Sequence, residues 1–438
     1  MALADAVTSR QRWYLLATLT LANIVNFYDR TIPAVIVEPL KAEFGLSDTM
    51  IGVLGGSFTI VYAIAGVLLG RLADHVPRRY VMAGGLVAWS LFTGASGLVQ
   101  GFLLLFLLRL GVGIGEASYG PASNALIVDT YEPRRRSRAI SIVSLGIPIG
   151  LLLAFLTVGV LVEATGTWRA PFVIAAVPGL LLAVAMLFIK EPERGASDVV
   201  DLRAEQSQSH PYRSVLRIRT ITWLMVAGIG LQIPTYGVAT FIVPLLQRYF
   251  GLSIGSASIG AGAILGIAGI VGLLVGGHLA DRAADRHPSG RLVVPAIGFT
   301  LAIPLTLAAL LLGSGNAALF VVLFAAGWTG TQFLSAAASP AIADVTPPDL
   351  RATAIAVYFA SFNLVGATLG PILVGVLSDA FATPVNDLSA EAVGLHRALL
   401  VIVPIGLVIA ALGAYRASRA LPADRAAMTG AKGVTATT

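Results

Sequence analysis

The chain has 438 residues, 56% of them hydrophobic and 12% charged, and a formal net charge of +6. A soluble domain carries about 25% charged residues, so a chain this apolar cannot cover a soluble surface, and the bilayer is its natural solvent. It contains no cysteine, which excludes disulfides, thiolate metal sites and a cysteine nucleophile.

Arg10 and Arg12 lead into the first apolar run at Trp13. No small-residue cleavage site follows a short apolar core, so this run is expected to be a retained span. Runs of about 20 mainly apolar residues predict spans near 13–37, 50–70, 79–99, 101–128, 138–162, 170–189, 221–246, 257–279, 292–312, 316–341, 352–377 and 397–415. With the N-terminus placed in the cytoplasm, 23 of the 29 Lys and Arg fall in cytoplasmic segments. Outer loops hold Lys41, Arg169, Arg248 and Arg397, and Arg30 and Arg109 fall within spans. This asymmetry satisfies the positive-inside rule and predicts an even number of spans with both termini inside. It also accounts for the basic balance without a nucleic-acid partner.

The polar stretch 191–220 separates the two halves and reads as a cytoplasmic linker. The expected organisation is a six-helix bundle over 1–190, a second over 221–417, and a disordered tail over 418–438. The halves repeat. Gly70-Arg71-Leu72-Ala73-Asp74 after the second span answers Gly277-His278-Leu279-Ala280-Asp281-Arg282 after the eighth. Asp129, Pro133, Arg136 and Ala139 answer Asp344, Pro348, Arg351 and Ala354 with the same internal spacing. Paired six-span halves are the mark of transporters that rock one half against the other around a midplane site.

Enzyme chemistry finds little support. Gly251-Leu252-Ser253-Ile254-Gly255 fits G-x-S-x-G, but no strand precedes it and it lies in a predicted outer loop. The five His show no metal-ligand spacing. No phosphate-binding G-x-x-x-x-G-K-[ST] is present, so ATP is not expected to drive transport.

Four charged residues fall within spans: Asp29, Arg30, Arg109 and Glu116. A charge at the bilayer centre costs at least ~2.5–3.5 kcal/mol, so each is a functional candidate. Arg109 and Glu116 are about two helical turns apart and share one face. Asp29 and Arg109 lie at similar depth, roughly 12 Å from the outer ends of their spans, so an Asp29–Arg109 pair is expected, with Arg30 beside it. In one reading a carboxylate, Glu116 or Asp29, takes up protons while Arg30 and Arg109 alternate between it and an anionic substrate. In the other these are static pairs tying the first span to the fourth. Asn26, Tyr28 and Tyr119 lie on the same two spans as further substrate contacts. The second half has no charge deep within a span. Its polar candidates are Gln232 and Tyr236, then Trp328, Thr329 and Gln332, then Tyr358 and Asn363. A cavity ionic on one side and polar–aromatic on the other suits an amphipathic anion.

Gly70 to Arg79 resembles the major facilitator loop G-x-L-x-D-x-x-G-R-R, with Pro77 where the family has Gly. The resemblance implies twelve transmembrane helices in two pseudo-symmetric bundles, all α. It also implies a conformational latch in which Asp74 meets a helix N-terminus, with Arg78, Arg79 and the repeat residues Asp281 and Arg282. Asn26-Phe27-Tyr28-Asp29-Arg30 and Gly113-Ile114-Gly115-Glu116-Ala117 with Pro121 further resemble spinster-type transporters, although Phe27 replaces the usual Tyr. That resemblance implies a proton-coupled carrier of lysophospholipids or sphingoid phosphates, with Glu116 and Arg30 in the coupling. The expected partners are this substrate and membrane lipids, the protein being a monomer in a bacterial-type inner membrane. Symport of sugar acids is the alternative within transport. A receptor or scaffold on a transporter fold is the alternative outside it.

Overall fold

The computed structural model describes residues 8–192, 211–347 and 350–429. They fold as helices: α1 Ser9–Val35, α2 Val37–Phe44, α3 Asp48–His75, α4 Arg78–Ser96, α5 Phe102–Ala117, α6 Tyr119–Thr130, α7 Pro133–Ser144, α8 Gly146–Thr165 and α9 Ala170–Leu187. The chain continues through α10 Pro211–Leu216, α11 Arg219–Arg248, α12 Ile254–Ala261, α13 Ala268–Arg286, α14 Gly290–Leu310, α15 Ala317–Thr331 and α16 Phe333–Val345. It ends with α17 Arg351–Phe362, α18 Thr368–Ala380 and α19 Ala390–Thr429. Single π-helical stretches, Gly262–Ile267 and Asn363–Ala367, join α12 to α13 and α17 to α18.

Among the described residues, ten helical stretches are long and apolar enough to cross a membrane. α1 and α4 have spanning length but carry polar residues that lower their hydropathy, Asn23, Asn26, Asp29 and Arg30 in the one and Arg78, Arg79 and Tyr80 in the other. Together they complete the twelve. Val67 is 61% exposed, Leu181 67% and Leu274 68%, an arrangement that water would penalise and lipid does not. Three expected spans are broken helices: α15 gives way to α16 at Gln332, and in the other two the break lies just before a proline, which cannot donate to the helical ladder and whose ring crowds the preceding turn. α5 gives way to α6 at Ser118, three residues before Pro121, and α7 to α8 at Leu145, three residues before Pro148.

The chain forms two compact units. The first comprises Met1–Leu46, Ser57–Gln206 and Ser253–Gly262. In it α1 packs on α8 and α9, and α4 lies against α5 and α9, around a core that includes Leu19, Leu86, Trp89 and Met186. The second comprises Ser47–Gly56, Ser207–Leu252 and Ala263–Thr438. In it α11 and α14 pack on α19. The first turns of α3 thus belong with the second unit, and α12 with the first, where the expected boundary ran through the linker. The segment 193–210, most of that linker, lies outside the described residues, and Pro211–Leu216 is a short helix.

One expectation is corrected. The tail expected to be disordered over 418–438 is instead helix through Thr429, the end of the continuous helix α19, and 430–438 lie outside the described residues. Ala is the strongest helix former, and the Asp424 carboxylate accepts from the backbone N–H and hydroxyl of Thr220, both at 2.7 Å, tying α19 to the start of α11.

Candidate functional site

The intramembrane charges converge inside the first unit. α1 contributes Asp29 and Arg30, α5 contributes Arg109 and Glu116, and Asp29, Arg109 and Glu116 are 0%, 3% and 0% exposed. Arg30 donates from Nε to Glu116 Oε2 at 2.5 Å, with the Arg30 side chain 22% exposed. Its guanidinium lies 4.3 Å from the Tyr62 ring centroid, 5.1 Å from Phe27 and 5.2 Å from Phe58. Stacking of this kind suits the planar guanidinium and contributes roughly 0.5–2 kcal/mol per desolvated contact.

The expected Asp29–Arg109 ion pair does not form. Arg109 instead donates from Nη2 to the backbone carbonyl of Asp29 at 3.4 Å and lies 5.6 Å from the Phe58 ring. The Thr93 hydroxyl is 3.5 Å from Asp29 Oδ2. Asp29 Oδ1 and Arg109 Nη1 are buried without a hydrogen-bond partner among the described residues. The reason is geometric: similar depth brings the two residues together, but the fork of Arg109 meets the α1 backbone first. The cluster therefore holds two carboxylates and two guanidiniums, with one ion pair formed between side chains.

Phe58 and Tyr62 carried no sequence signal as site residues. Their spacing of one helical turn on α3, opposite glycines, is the only trace. A Cβ at Gly113 would meet Phe58 at 3.3 Å, and one at Gly120 would meet the Tyr62 hydroxyl at 3.5 Å, so those glycines leave room for the rings. Tyr28 shares a hydrogen bond with Thr157 at 2.9 Å, and Asn26 is buried one turn before Arg30. Tyr119 is 5% exposed and donates to the Leu19 carbonyl at 2.6 Å, so its hydroxyl ties α6 to α1.

The second-half candidates lie in the second unit and divide into two groups. Trp328 and Tyr358 are buried in aromatic packing. Trp328 stacks on Phe324 at 5.6 Å, and Tyr358 meets Phe362 edge-on at 4.8 Å. Gln232, Tyr236, Thr329, Gln332 and Asn363 are only partly buried. Asn363 opens a π-helical stretch, a distortion common at functional positions.

The expected latch residues mainly staple each unit. Arg78 pairs with Asp129, both side chains 8% exposed. At the matching place in the second unit Arg291 pairs with Asp344 at 2.9 Å, with Asp281 3.9 Å from the same guanidinium. Asp74 and Arg282 are exposed. Other carboxylates meet helix N-termini within the first unit. Glu191 accepts from the Arg78 and Arg79 N–H groups at 3.1 and 3.4 Å, and Glu163 accepts from Gly255 at 2.9 Å. Ser253, of the G-x-S-x-G sequence, caps α12 by accepting from the Ser256 N–H.

Comparison with known proteins agrees with this architecture. The sequence profile of the Major Facilitator Superfamily matches residues 19–305. An MFS-type efflux pump of Mycolicibacterium smegmatis is 33% identical over 95% of this chain and 94% of its own. Human spinster homolog 1 is 28% identical over 83% of this chain and 72% of its own. A hexuronate transporter of Bacillus subtilis is 28% identical over 62% of this chain and 65% of its own. Among solved structures, a bacterial homolog of the human lysosomal transporter Spinster, inward-facing and unoccupied, superposes with a TM-score of 0.85 at 28% identity, covering 95% of this chain and 99% of that one. With intramembrane charges on α1 and α5, twelve helices of spanning length and these relatives, the chain belongs to the Major Facilitator Superfamily, as a spinster-like transporter.

Proposed function

We propose that the protein is a proton-coupled secondary transporter of an amphipathic anion of the lysophospholipid or sphingoid phosphate class. The observation that carries this reading is the Arg30–Glu116 ion pair, in which Glu116 is fully buried while the Arg30 side chain stays 22% exposed. Arg30 is thus partly accessible while its Nε is held by Glu116. A proton delivered to Glu116 removes the charge that holds Arg30 and frees the guanidinium for an anionic head. Deprotonation restores the pair and expels the anion. Phe27, Phe58 and Tyr62 around the guanidinium provide apolar surface for the rest of such a substrate. Protons as the sole coupling ion, a monomeric state and an inner-membrane location with both termini inside belong to the same proposal.

Sugar acids are the second reading, favoured by the hexuronate transporter among the relatives. Proteoliposomes with an imposed pH gradient separate the two. Lysophospholipid flux that follows the gradient supports the first reading. Gradient-driven uptake of a hexuronate without lysolipid flux supports the second. Ligand binding without any flux contradicts both.

A further inference from the structure

A groove of about 660 Å³ runs between α14 and α19, wholly within the second unit. One lip is formed by Val293, Ile297 and Leu301 on successive turns of α14, which are 37%, 53% and 59% exposed. The other is formed by Leu412 and Tyr415 of α19, 48% and 50% exposed. One end of the groove is polar, and its groups are donors. Arg419 lies there, its Nη1 3.5 Å from the Tyr415 hydroxyl, with no carboxylate partner among the described residues. His287 Nδ1 accepts from the Ser289 N–H at 3.2 Å, so in the neutral ring the proton sits on Nε2, which is left to donate. Ser289 precedes α14, and its hydroxyl makes no cap hydrogen bond. The positive end of the α14 dipole adds to the same field. Asp285, two residues before His287, does not line the groove.

We infer that this groove binds an anionic phospholipid of the surrounding bilayer, with its phosphate against Arg419 and His287 and an acyl chain along the α14 stripe. Cationic pockets between membrane helices recognise such headgroups. From Ser289 to Leu301 the α14 wall extends about 18 Å at 1.5 Å per residue. One leaflet of a ~30 Å hydrocarbon core is about 15 Å deep, so the wall matches one acyl chain. Tyr415 sits at the polar end, the level at which interfacial aromatics gather. The site shares no residue with the Arg30–Glu116 cluster and does not depend on what is transported.

Native mass spectrometry of the purified full chain in detergent tests this, with phosphatidylglycerol and phosphatidylcholine of the same acyl composition as probes. Phosphatidylglycerol should bind more tightly. Arg419→Gln should weaken it about 5-fold and leave phosphatidylcholine unchanged, which also reports that the variant is folded. Arg419→Lys should keep the preference. A photoreactive acyl chain on phosphatidylglycerol should label peptides covering 293–301 or 408–419. Equal affinity for the two lipids, an unchanged affinity in Arg419→Gln, or labelling elsewhere overturns the proposal. Displacement of the bound phosphatidylglycerol by a transported amphipathic anion also overturns it, since the groove would then belong to the transport route.

Discussion

Arg248, at the end of α11, donates from both terminal nitrogens to the carboxylate of Asp48, at the start of α3, at 2.7 and 2.9 Å. The two side chains are 5% and 2% exposed. The Ser378 hydroxyl donates to the same carboxylate at 2.6 Å, and Asp379 caps the helix by accepting from the N–H groups of Asp48 and Thr49. Close packing extends the contact. A Cβ at Gly52 would fall 2.4 Å from the Pro371 carbonyl, and one at Gly56 would fall 2.6 Å from that of Thr368. This is how a piece of the first sequence half is held by the second unit. Removing one partner of a buried pair costs about 3–5 kcal/mol. Asp48→Ala should therefore raise amide hydrogen exchange across 47–56, and Gly52→Val should do the same by steric clash. Unchanged protection in both variants would show that the segment is held by other contacts.

The Arg78–Asp129 and Arg291–Asp344 pairs occupy equivalent places in the repeat but differ in burial. The former side chains are each 8% exposed, the latter 20% and 32%. Arg78→Gln should accordingly lower thermal stability more than Arg291→Gln, by about 3–5 kcal/mol against about 1 kcal/mol. Melting in detergent reads the order, and the reverse order would contradict it.

Glu43 accepts from Arg169 Nη2 and Nη1 at 2.5 and 2.8 Å and from Trp168 Nε1 at 2.6 Å. These bonds, chiefly those from Arg169, lower its carboxyl from the usual 4.5 to about 2. A depressed carboxyl contributes stability that is present above its unfolded value and lost as pH falls through the folded one. The melting difference between the wild type and Glu43→Gln should thus be constant above about pH 4.5 and shrink between there and about pH 2. A difference that grows on acidification would reverse the sign of this argument.

Arg30 is held by a bond from Nε and by three aromatic rings. Lysine keeps the charge but lacks the planar fork. Arg30→Lys should therefore lose most substrate affinity, and Tyr62→Leu should weaken it by about 2- to 30-fold, corresponding to ~0.5–2 kcal/mol of cation–π attraction. Isothermal titration with a lysophospholipid checks both. Full affinity in Arg30→Lys would mean that charge alone suffices.

Much of this was legible in the sequence, because apolar runs and intramembrane charges are strong signals. Asp29, Arg30, Arg109 and Glu116 stood out for their cost, and the structure gathers all four in one unit. Which acid meets which base was not legible, since helical depth fixes a level and not a rotation. That is why Arg30 and not Arg109 carries the side-chain ion pair. Phe58 and Tyr62 were invisible because aromatics are ordinary in spans, and for the same reason Trp328 and Tyr358 could not be told from core residues. The helix through Thr429 was missed because an Ala-rich polar stretch reads as a tail until Asp424 is seen to cap α11.

The most direct test is lysophospholipid binding as a function of pH by the purified wild type and Glu116→Gln. Wild-type affinity should change with pH. Glu116→Gln, which has no charge to hold Arg30, should bind with affinity independent of pH. A pH dependence that survives the substitution would contradict the assignment of the coupling proton to Glu116.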